Sequence, residues 1–215
     1  MIYLYQKQAK AAKRLKLIHK FNSLILNMDT KLILASTSVY RKQLLQRLNI
    51  PFEVIEPAFD EELYKKQGRS AAELSLFLAT GKAKSVNQQN ACVIGSDQVV
   101  SFDGKILGKS HTSTGAFEQL KSLQGKTHQL ITSTSLLFKG EEVSWTDTVQ
   151  LTMRPLTATE IDNYIKLDNP VDCAGSYKIE SFGISLFERI HAEDFTAIQG
   201  LPLLKLHLHL KKWGF

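Results

Sequence analysis

The sequence predicts an α/β fold in which helices flank a mixed sheet. Short apolar runs, typical of buried strands, alternate with stretches whose apolar residues recur at helical spacing. Turn signals such as Asp103-Gly104 join other strands directly, which predicts antiparallel pairs within the same sheet. A chain of 215 residues suits one compact domain or two small lobes that share a core.

Strand runs and helix caps define the first half of the chain. Ser36-Thr37-Ser38 supplies hydroxyls that suit a helix N-cap, and Ser70 with Glu73 forms a capping box. The predicted elements are a buried strand at 32–35, a helix at 39–48, an alternating strand at 52–55, a helix from 71 to about 86, a buried strand at 91–94 that ends at Gly95-Ser96-Asp97, and a hairpin with arms at 99–100 and 105–107.

The second half begins with a helix that Ser113 or Thr114 caps and Gly125 ends. Two long extended runs follow, and their serines and threonines alternate with apolar residues as on a half-solvated sheet. A second capping box, Thr157 to Glu160, opens the next helix. The remaining elements are strands at 127–138 and 143–153 with Gly140 in their turn, a helix that ends before Pro170, a glycine-punctuated segment at 175–190, and a helix at about 203–212.

The net charge of +6 is concentrated at the N-terminus. Residues 1–27 hold six of the 27 basic residues and none of the 21 acidic ones, so the rest of the chain is formally neutral. We therefore expect no nucleic-acid surface on the folded part. The predicted organisation is a basic extension at 1–27 followed by one domain at 28–215. The extension could be a basic amphipathic arm, but the favoured interpretation is that the native protein starts at Met28.

Membrane, disulfide and zinc signals are absent from the sequence. No stretch of eighteen apolar residues occurs, so no membrane-spanning helix is expected. Cys92 and Cys173 form no C-x-x-C pair, and two free thiols suit a reducing cytoplasm. His207 and His209 lie in a leucine-rich stretch, which favours a helix surface over a metal site.

Three segments present polar groups at the ends of predicted strands, where open α/β sheets bind ligands. Segment 36–41 combines hydroxyls, a helix start and an arginine, which suits phosphate, although a serine-rich cap is more often only a cap. Asp97 suits metal binding or general-base chemistry, and an ordinary turn is the equal alternative. Gly108-Lys109 offers close backbone approach and a positive charge, and Lys82 with Asp60-Glu61 completes a possible charged cluster.

Taken together, the motifs resemble those of the Maf-family nucleotide pyrophosphatases. The resemblance covers about residues 31–206 and rests on several motifs in the same order. These motifs are Leu32-Ile-Leu-Ala-Ser-Thr-Ser, Asp60-Glu61, Leu78-Ala79-x-x-Lys82-Ala83, Ile94-Gly-Ser-Asp97, Gly108-Lys109, Ala174-Gly175-Ser176, Gly183 and Gly200-Leu201-Pro202. The resemblance implies a Maf/ITPase-like fold with two lobes and a substrate cleft, and a homodimer.

The resemblance also implies hydrolysis of a nucleoside triphosphate between its α and β phosphates. Asp97 then matches the general base and Glu61 helps it to hold a divalent cation, magnesium or manganese. The positions that match the triphosphate site are Ser36, Arg41, Lys82 and Lys109. A cation beside Asp97 lowers the pKa of that carboxyl, so we expect the metal to activate the attacking water.

Three positions suggest the base. Tyr40, Gln98 and Glu180 resemble the aromatic, Gln and Glu of the branch that hydrolyses 7-methyl-GTP, whereas branches for dTTP and UTP carry Arg, Thr and Gln. The chain departs from the family at Val39 and Ser110, where proline is usual, at Tyr40, where tryptophan is common, and near 190–193, which lacks a glycine. The alternatives are a Maf-type pyrophosphatase with another nucleotide preference and a nucleotide-binding regulator of cell division.

Overall fold

A seven-stranded mixed sheet organises the computed structural model, which describes residues 30–65, 68–86 and 88–215. The strand order is β2-β1-β3-β5-β6-β7, with the short β4 paired to β3. The strands are β1 (Lys31–Ala35), β2 (Glu53–Ile55), β3 (Ala91–Phe102), β4 (Lys105–Leu107), β5 (Thr127–Phe138), β6 (Glu141–Met153) and β7 (Phe187–His191). Because β1 pairs in parallel with β2 and β3 while the other pairs are antiparallel, the predicted mixed sheet is confirmed.

Helices cover both faces of this sheet. They are α1 (Val39–Gln46), α2 (Glu62–Lys65), α3 (Ala71–Ser85), α4 (Ser113–Leu123), α5 (Ala158–Asp168) and α6 (Leu203–Lys212). Short 3-10 helices occur at Pro170–Asp172, Phe182–Leu186 and Phe195–Gln199. Both predicted capping boxes are present, on α3 and α5. The α/β fold with flanking helices is therefore confirmed.

Two large apolar clusters lie at different places along the sheet. Leucines of α1 and α6, including Leu45 and Leu206, pack on β1 and β3 in the first cluster. Leu120 of α4 and Tyr164 of α5 pack on β5 and β6 in the second. The central strands thus carry one core at each end, and the polar segments described below lie between the two cores.

The structure corrects several predictions from the sequence. The strand at 91–94 does not end at Gly95-Ser96-Asp97, because β5 pairs with β3 continuously from Val93 to Ser101. Strand β6 begins two residues earlier than predicted, and the N-cap of α4 is Thr112 rather than Ser113 or Thr114.

The expected half-solvated surface on β5 is also wrong. Thr132, Ser133, Thr134 and Ser135 are all fully buried. Helix α3 and the segment around Phe195–Gln199 both pack on β5, so its central part has no solvent-facing side.

The predicted basic extension at 1–27 and the possible start at Met28 lie outside the described residues. Within the described part of the chain, no helix is both long enough and apolar enough to cross a membrane.

Candidate functional site

The candidate site lies where β1 ends and β3 continues. Ala35, the last residue of β1, pairs with Gly95, and β4 pairs only from Val100 onward. Among the strands of the described residues, none therefore pairs with residues 96–99 of β3 on that side. Because side chains alternate along a strand, Asp97 faces α3 while Ser96 and Gln98 face the segment at 195–200.

A buried charged cluster forms around Lys82. Its ammonium Nζ lies 2.6 Å from Asp97 Oδ1 and 2.8 Å from Glu61 Oε1. The side chains of Lys82 and Asp97 are only 6% and 8% exposed, whereas that of Glu61 is 35% exposed. The structure thus brings together Lys82, Glu61 and Asp97, three members of the charged cluster that the sequence predicted along with Asp60 and Lys109.

Burial controls the electrostatics of this cluster. It raises the pKa of Asp97 above the ordinary value, and the positive charges of Lys82 and Arg41 oppose that rise. Burial also lowers the pKa of Arg41, and the carboxylates of Asp97 and Glu61 oppose that change. In the protein alone, Asp97 is therefore a stronger base than an exposed aspartate. The predicted lowering of its pKa depends on a bound cation and stays a prediction.

The expected phosphate segment lies at the N-terminus of α1. Ser38 caps the helix by accepting from the backbone N–H of Arg41, and buried Ser36 accepts from the backbone N–H of Ser38 at 3.1 Å. Val39 stands where the family usually has proline. It is the first residue of α1 and is 61% exposed, and this first helical position is one where proline is common in helices. A helix start with these hydroxyls favours anion binding.

Arg41 connects this segment to the loop at Gly200. Its Nε donates to the carbonyl of Gly200 at 2.9 Å, and its Nη1 lies 3.5 Å from Ser36 Oγ. Gly200 has a φ of +90°, and an added Cβ would lie 3.1 Å from Arg41 Nε. The Gly200-Leu201-Pro202 motif thus supports the arginine that was predicted to hold phosphate.

Gln98 is held by the protein itself. Its Nε2 donates to Thr132 Oγ1 at 2.8 Å and to the carbonyls of Ala197 and Ile198 at 2.9 and 3.1 Å. The amide nitrogen thereby anchors the 3-10 helix Phe195–Gln199 to the sheet. A contact between Gln98 and a base stays a prediction.

Tyr40 and Glu180 lie next to each other although 139 residues separate them in sequence. Burial and then the charge and hydrogen bond of the Glu180 carboxylate raise the pKa of Tyr40 to about 12. Asp172 and Cys173 contribute smaller effects in the same direction. The side chain of Tyr40 remains partly accessible, so an aromatic ring and a carboxylate are presented together at the surface.

Lys109 is exposed and pairs through its backbone with Ala174. The Gly108-Lys109 motif is therefore adjacent to the Ala174-Gly175-Ser176 motif. Ser176, which is buried and has a φ of 59°, donates to Gln119 Oε1 at 2.7 Å. An added Cβ at Gly108 meets no atom of the described residues within 4 Å, so their packing does not require glycine there.

Sequence reasoning missed the packing of Phe59, which lies two residues before Glu61 in the chain, on helix α3. A Cβ at Gly81 would lie 2.3 Å from the ring of Phe59, so this ring packs directly on the glycine of α3. The ring of Phe59 also stacks on Tyr64 at 5.2 Å and 3°. Since a glycine inside a helix usually has a packing reason, Gly81 was the signal that could have indicated this contact.

The carboxylates fit a magnesium or manganese ion that substrate helps to hold. No group of three or more His, Cys, Asp or Glu side chains in the described ranges could bind a metal alone. Magnesium, however, is commonly held by one or two carboxylates together with substrate phosphates and water. Glu61 and Asp97 converge on one cationic nitrogen and therefore suit that arrangement.

Comparisons with known proteins point in one direction. A family model described as Maf-like protein matches residues 31–213. A Bdellovibrio bacteriovorus protein named 7-methyl-GTP pyrophosphatase is 49% identical over 82% of this chain and 93% of its own length. Proteins of the same name from Xanthomonas oryzae pv. oryzae and Pseudoalteromonas atlantica are 42% and 44% identical, over 87% and 85% of this chain and 98% and 95% of their own. The structure of a HAM1 protein from Coxiella burnetii covers 58% of this chain and 73% of its own, with a TM-score of 0.37 and 12% identity, a likeness too slight to argue from.

Proposed function

This chain belongs to the Maf family, and we propose that it is a nucleotide pyrophosphatase that hydrolyses 7-methyl-GTP to 7-methyl-GMP and pyrophosphate. The observation that carries the proposal is the 49% identity to a protein of that name over 82% of the chain. The pairing of Tyr40 with Glu180 supports the same substrate, because it presents an aromatic ring beside a carboxylate.

Asp97 is the proposed general base. Water attacks a phosphorus of the α–β bridge, the bond to the bridging oxygen breaks, and Asp97 accepts the proton that the water loses. Burial raises the pKa of Asp97 only in the protein without a bound metal. A cation bound to Asp97 would lower that pKa, so the acidity that the cation would give the attacking water is what favours this transfer. Ser36, Arg41, Lys82 and Lys109 are the proposed ligands of the phosphate oxygens, as hydroxyl and cationic groups suit them.

Asp97 and Glu61 are the proposed ligands of a divalent cation, magnesium or manganese. Such an ion neutralises phosphate charge and increases the acidity of water. Excess EDTA is therefore expected to abolish turnover, and appreciable hydrolysis after chelation would contradict this part of the proposal.

Tyr40 and Glu180 are proposed to select the base. N7-methylguanine is positively charged, so stacking on the ring of Tyr40 adds ~0.5–2 kcal/mol of attraction. Glu180 accepts hydrogen bonds from N1–H and the 2-amino group, and the base then replaces the Tyr40 hydroxyl as its partner. A pyrimidine without these donors leaves the carboxylate unpaired, at a cost of ~1–3 kcal/mol.

Two substitutions test the proposal. Asp97→Asn is expected to lower kcat by at least about 10²-fold, because it removes the general base. Glu180→Gln is expected to lower kcat/KM for 7-methyl-GTP about tenfold or more relative to UTP. Glu142→Gln, an equivalent change at a surface carboxylate paired with Lys84, serves as the control with unchanged rates. An unchanged substrate ratio in Glu180→Gln would show that Glu180 does not select the base.

A homodimer and a cytoplasmic location belong to the same proposal through the family resemblance. Sedimentation of the full chain measures the first, and a monomer at working concentrations would contradict it.

A further inference from the structure

Lys82 occupies the position between the two carboxylates that suit a divalent cation. Its Nζ lies within hydrogen-bond distance of both Asp97 Oδ1 and Glu61 Oε1. The ammonium is almost fully buried, and so is the Asp97 carboxylate. The free protein therefore already supplies a positive charge at the place where the proposed function requires a metal ion.

A metal ion cannot replace this ammonium without consequence. Breaking a buried ion pair by displacing one member leaves an uncompensated charge, which is strongly unfavourable. A divalent ion bound between Glu61 and Asp97 thus requires another anionic partner for Lys82. The phosphate oxygens of a nucleotide are such a partner, because ammonium groups bind phosphate as point charges.

We propose that Lys82 is an internal counter-ion that excludes divalent cations from the free site, so that metal and triphosphate enter together. On binding, the ammonium moves from the two carboxylates to phosphate oxygens, and the metal takes its place. The inference rests on the proposed function for the identity of the anionic ligand. Its core, the competition between Lys82 and a metal for two carboxylates, requires no nucleotide.

Metal binding to the full-length chain tests this competition directly. Manganese binding is measured by equilibrium dialysis for the unaltered protein, for Lys82→Met and for Lys84→Met. Lys84 is a matched control because it lies on the same helix but is exposed and paired with Glu142. Without nucleotide, Lys82→Met is expected to bind manganese at least about tenfold more tightly than the unaltered protein. Lys84→Met is expected to bind manganese with the same affinity as the unaltered protein. Equal affinities for all three proteins would overturn the proposal.

A second measurement uses only the unaltered protein and therefore does not depend on the folding of a variant. Manganese retained by the protein is compared with and without a saturating GTP analogue that carries a methylene group between the α and β phosphates. The expected result is an affinity at least about tenfold higher with the analogue. Tight binding without the analogue, unchanged by its addition, would overturn the proposal.

The two experiments separate this inference from the proposed activity. Hydrolysis of 7-methyl-GTP combined with tight metal binding to the free protein would contradict the counter-ion role alone. A gain of manganese affinity in Lys82→Met, together with no hydrolysis of any nucleotide by the unaltered protein, would contradict the activity alone.

Discussion

Substitution of Gly95 by alanine is expected to damage stability and the site together. An added Cβ would lie 2.1 Å from the carbonyl oxygen of Ala79, 2.7 Å from the backbone nitrogen of Ala83 and 2.9 Å from its Cβ. Ordinary contacts between such atoms are about 3.5 Å, so α3 has to move by roughly 1 Å. Backbone atoms cannot rotate away, so we expect the upper end of the overpacking range, about 3 kcal/mol.

The same movement changes the charged cluster. Lys82 lies on α3 between Ala79 and Ala83, so displacement of the helix lengthens the 2.6 Å contact of Lys82 with Asp97. Chemical denaturation measures the free energy of unfolding, and initial rates measure hydrolysis. Gly108→Ala is the control for stability, because the added Cβ meets no atom within 4 Å in the part of the chain that the structure describes. The free energy of unfolding of this variant is expected to differ from that of the unaltered chain by less than about 0.5 kcal/mol. A Gly95→Ala protein as stable and as active as the unaltered chain would refute the packing argument.

Three further predictions concern other contacts. Gly81→Ala places a Cβ 2.3 Å from the ring of Phe59. Because Phe59 lies two residues before Glu61 in the chain, a shift of Phe59 is expected to move Glu61 and to raise the manganese concentration needed for half-maximal hydrolysis; an unchanged requirement would contradict this coupling. Hydrogen bonds in the second capping box lower the pKa of Glu160 to about 2, so its stabilising contribution is complete above about pH 4.5 and is lost as the pH falls toward 2. Denaturation of Glu160→Gln across that range is expected to show a weaker loss of stability with acid than the unaltered chain. The pKa of Tyr40, about 12, is expected to fall toward but not reach 10 in Glu180→Gln, because burial is the larger cause; spectroscopic titration against Tyr40→Phe measures it.

Local patterns predicted the helices well. The capping boxes at Ser70 and Thr157 depend on residues three positions apart, and both are present. The limits of β3 depend instead on a distant partner. Apolar residues end at Ile94, but β5 extends the strand past Asp97 through pairing that no local pattern contains. The buried hydroxyls of β5 were misjudged for the same reason, since both layers that cover them are distant in sequence.

The candidate site was predictable to a similar extent. Family resemblance brought Glu61, Lys82 and Asp97 together, and the structure places them in direct contact. Neither resemblance nor pattern indicated that Lys82 bridges both carboxylates. The packing of Phe59 on Gly81 also required coordinates, because it depends on how closely the chain before α2 approaches α3.

The most direct test of the account is a comparison of initial hydrolysis rates for 7-methyl-GTP, GTP, UTP and dTTP with magnesium or manganese, with the products identified. The account predicts a clear preference for 7-methyl-GTP, which yields its monophosphate and pyrophosphate. A preference for UTP or dTTP would contradict the assignment of Tyr40 and Glu180 to base selection. Failure of the folded protein to hydrolyse any of the four would contradict the proposed activity.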